Sequence, residues 1–211
     1  MAAVAVPRGA NAVRLRITLE HIEPAPFRVA DVPLTFPLAT LHEVIQLLFG
    51  WENCHLWSFE VAGERVELPI RERVWVPDEI PALDARRFTL SRAVREGGGG
   101  MFYTYDFGDD WVHRIDFVEV FRVQDPQSLP AFIEGKWAAP PEDCGGPYGF
   151  MDFKEAMADP AHEEHEHLRE WYGRPFDPAN IGEDRIQRVL AGARSAVAQR
   201  RRKTKKKRTR R

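Results

Sequence analysis

Asp106, Asp109, Asp110 and His113 lie within one short stretch, and Glu142, Asp143 and Cys144 form a second polar knot followed by Gly145 and Gly146. Carboxylate oxygens with one imidazole nitrogen suit Mg²⁺, Mn²⁺ or Zn²⁺. Asp109, His113, Glu142 and Asp143 are therefore the candidate metal ligands, and a divalent metal is the candidate cofactor. His55, Asp106, Asp110, Cys144, Gly145 and Gly146 are candidate ligand-contact residues, since paired glycines let backbone amides converge on an anion. Plainer readings compete. Asp and Gly also build hairpin turns, Asp by accepting local amide hydrogen bonds and Gly by supplying positive φ. Cys144 makes a poor nucleophile, because its acidic neighbours oppose the thiolate.

Other tempting motifs fail on spacing. Asp106-Phe107-Gly108 spells a kinase signature, but the lysine strand and the His-Arg-Asp loop are absent, and the tetraglycine at 97–100 lacks phosphate-loop spacing. A zinc-protease helix needs His-Glu-x-x-His. Here His162, His165 and His167 miss that register, Glu166 takes the second ligand position, and the segment reads as a solvated acidic helix face. Glu119 shares a predicted strand face with His113 but lies about 20 Å along it, too far to share an ion. His55 alternates with Trp57 and Phe59 and reads as a core histidine, unless the fold sets it beside His113 or Asp143.

These residues need elements to position them. Val13, Leu15, Ile17 and Leu19 alternate with polar residues, which predicts a half-buried strand. A second short strand runs through Phe27 and Val29. Thr40 and Glu43 form a capping box. Leu41, Val44, Ile45 and Leu48 then give an amphipathic helix stopped by Gly50. His55 to Val61 predicts a third strand, residues 68–83 a long loop, and Ser91 the cap of a short helix. Residues 102–105 and 111–121 form a β-hairpin around the Asp-rich turn. Helices are predicted over 151–158, 161–172 and 181–199. Strands, one early helix, then C-terminal helices give an α+β fold: a mostly antiparallel sheet with the helices packed on it.

Net charge divides the chain. Residues 200–211 carry Arg200, Arg201, Arg202, Lys203, Lys205, Lys206, Lys207, Arg208, Arg210 and Arg211 and no acid, so the rest holds 20 basic and 32 acidic residues, a net of −12 hidden in the overall −2. Such a run should be disordered and should bind nucleic acid through counterion release, without sequence preference. The expected organisation is a disordered N-terminus at 1–11, an α+β domain at 12–198 and a disordered basic tail at 199–211. No run of ~18 apolar residues predicts a membrane span. The apolar N-terminus is too short for a signal peptide, and Cys54 and Cys144 read as reduced thiols of a cytoplasmic protein.

Four segments also resemble a known family in order: residues 51–59, Tyr103-Thr104-Tyr105-Asp106-Phe107-Gly108-Asp109-Asp110-Trp111-Val112-His113 on to Glu119, Pro140-Pro141-Glu142-Asp143-Cys144-Gly145-Gly146-Pro147 to Phe150, and residues 171–178. Together, over roughly residues 12–190, they are similar to the plasmid pRiA-type ORF-three-like family, whose members are also described as insertion-element passengers with a TnpR-like, resolvase label. The resemblance implies an α+β fold and a plasmid or mobile-element setting. It does not supply the nucleophilic serine in an arginine-rich site that a serine resolvase needs. Pro24-Ala25-Pro26-Phe27 replaces an expected Pro-Pro-aliphatic-Trp run, and Phe150 stands where tyrosine is commoner.

Three functions follow as expectations. The leading one is a non-catalytic binding or accessory module with an unknown protein partner, tethered to nucleic acid by its tail. The alternative is a metal-dependent hydrolase of phosphoesters or amides, using the 106–113 turn and the 142–144 loop. The third is an accessory protein whose acids only build the fold. Convergence of three among His55, Asp109, His113, Glu142, Asp143 and Cys144 within ~4–6 Å favours the hydrolase.

Overall fold

Alternating apolar residues put the first strand at the heart of the sheet. The structure, a computed structural model, describes residues 3–69 and 82–208, with side chains to residue 195. In chain order it contains β1 (Ala12–Leu19), β2 (Phe27–Pro33), α1 (Leu38–Phe49), β3 (Trp57–Val61), β4 (Glu64–Glu67), β5 (Leu83–Asp84), α2 (Leu90–Glu96), β6 (Gly100–Tyr105), β7 (Trp111–Phe121), β8 (Ala131–Lys136), α3 (Gly146–Ala158), α4 (His165–Tyr172) and α5 (Glu183–Arg208). The strands form one sheet in the order β5-β4-β3-β6-β7-β1-β2-β8. Every pairing is antiparallel except β4 with β5. This is the expected α+β architecture.

One sheet face is apolar: Val13, Leu15 and Ile17 of β1 are buried beside Trp111, Ile115 and Phe117 of β7. The opposite face carries charge, with Arg14 bidentate to Asp31 at 2.8 and 2.9 Å and Arg114 near Glu20 and Asp116. A half-solvated antiparallel sheet takes this form. Leu41, Val44, Ile45 and Leu48 of α1 are buried as their spacing requires, and Gly50 ends the helix with φ +89°.

Several boundaries differ from the sequence reading. The Thr40–Glu43 capping box does not form. Helix α1 begins earlier, after Pro37, because the amides of Leu38 and Ala39 donate to Phe88 O and Ala85 O across the chain. Thr89, not Ser91, caps α2, since Ser91 N is taken by Leu34 O. A bulge opposite Arg14 and Leu15 leaves Val118 unpaired and flips the end of β7, so Val120 is buried and Glu119 is exposed, off the face of His113. Helix α3 starts at Gly146 rather than 151, and α4 is confined to His165–Tyr172. The strands β4, β5 and β8 were not expected; the loop expected over 68–83 lies largely outside the described residues.

The termini differ as well. Residues 3–11 dock rather than fray: Val4 N donates to Gly98 O, and Asn11 exchanges hydrogen bonds with Phe121 and Val123. The α5 backbone runs through Arg208, past the tail boundary expected at 199. Lysine and arginine are good helix formers, and neither Gly nor Pro follows Gly192. Among the described residues no helix is long and apolar enough to cross a membrane.

Polar residues cross the core in a closed ring. His42 Nε2 donates to Asn53 Oδ1 at 2.6 Å, so its Nδ1 accepts from the Tyr103 hydroxyl at 2.7 Å. Gln46 donates to that hydroxyl and accepts from Asn53 N. Burial lowers His42 to about 4 and the fully buried His113 to about 3. Both are neutral in the fold. Between these values and the ordinary 6.5 only the unfolded chain takes up the proton. Their contribution is therefore whole above pH ~6.5 and is lost as pH falls toward 4 and then 3. Denaturant unfolding across pH 7.5 to 4.5 should show a loss of roughly 3 kcal/mol per histidine at most, and His42→Gln should flatten part of that slope.

Candidate functional site

Two loops carry the acids, and the fold fastens them together. The segment after α1 is held by Asn53, whose φ of +58° suits the turn and whose side chain closes the polar ring. That ring sets the direction in which Cys54 and His55 leave the helix. The segment after β8 is tied to it at two points: Trp51 Nε1 donates to Pro140 O at 3.0 Å, and Glu52 N donates to Glu142 Oε1 at 2.7 Å. The Tyr105 hydroxyl donates to the same Glu142 oxygen at 3.0 Å and accepts from Cys54 N. Burial, with the Glu142 charge beside it, pushes the phenol well above its ordinary range, so it stays protonated as a donor. Tyr105 also stacks on Trp51 at 5.0 Å.

The result is a cluster around His55. Its Nε2 lies 3.0 Å from Asp143 Oδ1, 3.6 Å from Asp106 Oδ2 and 3.9 Å from Glu142 Oε2. The ring is partly exposed, yet Nε2 itself is shielded from solvent and makes no directed hydrogen bond. The 3.0 Å approach of Asp143 is an ion-pair distance without hydrogen-bond alignment. Glu142 Oε2 is likewise shielded and unbonded. His55, Asp106 and Asp143 offer donor atoms within 4.8 Å of one another, and so do Cys54, His55 and Glu142. Bonds of ~2.0–2.2 Å put neighbouring ligands of one ion about 3–3.5 Å apart, which these distances approach. Asp106 and Asp143 hold left-handed backbones, φ +54° each, a conformation Asp tolerates.

The remaining candidates separate. His113 does not join the cluster. It is fully buried, its Nδ1 bonds Trp111 O and Tyr103 O, and its ring packs edge-on against Phe49 and Trp51. It is a core histidine, the role the sequence suggested for His55, and the two have exchanged places because β3 begins at Trp57 and leaves His55 in the preceding loop. Asp109 is not at the ion-sized centre either. Its Oδ2 accepts from Gly145 N at 3.3 Å, latching the turn to the second loop. Asp110 is exposed, and its amide donates to Asp106 O. Asp106 Oδ1 accepts from Gly108 N, so one oxygen builds the turn and the other faces His55.

Gly145 and Gly146 serve packing. Their φ values are +88° and +70°, and a Cβ on Gly146 would lie 2.7 Å from Asp109 O. Burial, with Asp109 adding to it, pushes the Cys144 thiol up to about 12, which removes it as a nucleophile. The histidines at and before the start of α4 make separate local contacts: His162 Nδ1 accepts from Glu164 N and His165 Nδ1 bonds Ala156 O. Sequence reading missed Cys54, Tyr105 and the Asn53 ring as parts of the site. The available signal was His42 and Gln46, one helical turn apart on the buried side of α1.

Gly146→Ala should cost about 1–3 kcal/mol, because both its φ and its contact with Asp109 forbid a side chain. Chemical denaturation measures it, and an Asp109→Ala variant should cost less, about 1 kcal/mol.

Comparison with known proteins agrees with the fold. A curated protein of Sinorhizobium fredii (strain NBRC 101917 / NGR234), "Uncharacterized protein y4hQ", is 44% identical over 165 residues, covering 78% of this chain and 82% of that one. The crystal structure of a protein of unknown function, MM3350 from Methanosarcina mazei Go1, superposes with a TM-score of 0.72 at 28% identity, covering 81% of this chain and 94% of that one. The model of the plasmid pRiA4b ORF-3-like protein family matches residues 11–185, and the chain belongs to that family.

Proposed function

We propose that the protein is a metal-dependent hydrolase whose divalent ion is held by His55 Nε2, Asp106 Oδ2 and Asp143 Oδ1, with Glu142 Oε2 beside it as general base. The observation that carries this reading is the His55 nitrogen, shielded and without a directed hydrogen bond while three carboxylates face it. One nitrogen with two or three carboxylate oxygens suits Zn²⁺ or Mn²⁺. Three protein ligands would leave a coordination position open, as catalytic rather than structural sites do, and an ion held there would supply a water made nucleophilic near neutral pH. Phosphoesters or amides are the substrate classes this chemistry serves. The ligand set differs from the one expected: His55 and Asp106 take the places of His113 and Asp109.

Untagged protein should titrate with Mn²⁺ or Zn²⁺ at a stoichiometry near one by calorimetry. His55→Ala and Asp106→Asn should each weaken binding by about 10–100-fold with the far-UV spectrum unchanged. An absence of both heat and thermal stabilisation in the wild type would count decisively against the site.

A second reading has its own support, the segregation of charge. The tail tethers the protein to nucleic acid, as an accessory protein of a plasmid or mobile element would need. The acidic remainder of the chain repels a polyanion, so the ten basic residues of 200–211 carry the affinity. Deleting residues 200–211 should abolish DNA binding and its salt dependence. Undiminished binding by the truncated protein would remove this reading and leave the metal site untouched.

A further inference from the structure

A hollow of about 570 Å³ lies between the end of α1, the Pro140-Pro141 loop and the segment joining α4 to α5. Its size suits a small molecule. Arg174 and Arg185 both line it. Arg185 donates to Leu47 O at 3.1 Å and caps α1. Gly50 makes the room, since a Cβ there would lie 2.8 Å from Arg185 Nη2. Arg174 lies over the Tyr172 ring at 4.9 Å. Neither guanidinium pairs with a carboxylate among the described residues.

Three acids, Glu52, Glu142 and Asp177, line the same hollow, and two of them hold one oxygen in local hydrogen bonds. Glu142 Oε1 accepts from Glu52 N and Tyr105, and Asp177 Oδ1 accepts from Ala179 N. Beneath lies Arg28, fully buried and bonded only to the carbonyls of Phe27, Leu48, Lys136 and Trp137, so it adds positive charge with no carboxylate to offset it. Burial lowers Arg185, and the nearby charge of Arg174 lowers it further: the two cations repel across the hollow. Two arginines that face one hollow with no ion pair among the described residues leave their guanidinium donors open to an anion. Guanidinium forks match the geometry of phosphate.

We infer that Arg174 and Arg185 form a binding site for a phosphate-bearing small molecule in this hollow, distinct from the His55 cluster and independent of any metal there. Calorimetry of the full-length protein with inorganic phosphate and with adenosine monophosphate, at low salt in EDTA, tests it apart from the metal reading. Saturable binding should weaken at least about tenfold in Arg174→Gln, whose melting temperature should match the wild type. Arg185→Gln should weaken it too, with some loss of stability because it caps α1. Tighter binding of the nucleotide assigns an organic phosphate and equal affinity a free one; either supports the site. No saturable binding of either probe overturns the inference, as does binding that persists in both variants, which assigns it to the basic tail.

Discussion

Asp106 and Asp143 bring oxygens within 4.8 Å of one another and of the His55 imidazole, and Glu142 Oε2 lies 3.9 Å from the same nitrogen, so three acids gather around one ring. A fold keeps such a group only if it gains elsewhere, and here the gain is structural. Glu142 is held by the Glu52 amide and the Tyr105 hydroxyl, Asp106 by its own turn, and Asp143 by a loop latched through Asp109 to Gly145. Each restraint engages one oxygen or the backbone and leaves another oxygen facing His55. A cation at that point, as proposed, would relieve the crowding of charge and give the shielded Nε2 and Glu142 Oε2 a common partner.

The rest of the molecule supports those restraints. Helix α1 buries its apolar side against the sheet and delivers His42 and Gln46 to a ring that fixes Asn53, hence the direction of the His55 loop. At the end of α1, Arg28 joins Leu48 O to the carbonyls of Lys136 and Trp137, and so joins the helix to the strand from which the acidic loop departs. The sheet contributes Tyr105 and Trp51 packs over it, with the indole N–H reaching Pro140. The cluster is therefore a consequence of core packing as much as of loop sequence, and it sits beside a hollow that shares Glu142 as a lining residue.

Much of this was legible from residue order. The alternation of Val13 to Leu19, the 41-44-45-48 spacing of α1 and the aromatic hairpin gave the sheet and its inserted helix, because burial on one face imposes a period on the sequence. Both loops of the site were recognisable from their acids and glycines. Which histidine joins the acids was not, since it depended on which of the two faced inward. His55 and His113 each alternate with aromatics, and only the start of β3 at Trp57 and the pairing of β7 decide between them. The bulge that turns Glu119 outward has no local signature, and the helix starts were set by amides bonding to distant carbonyls rather than by the capping residues beside them. Arg28 is far in sequence from Arg174 and Arg185, and the three carry no motif; only the fold gathers them.

The most direct measurement is anomalous diffraction from crystals of the full-length protein soaked in Mn²⁺ or Zn²⁺. The account predicts one anomalous peak about 2.0–2.3 Å from His55 Nε2, with oxygens of Asp106 and Asp143 completing the coordination and His113 uninvolved. A map with no peak at His55, and with its Nε2 hydrogen-bonded to a carboxylate or an ordered water, would contradict it.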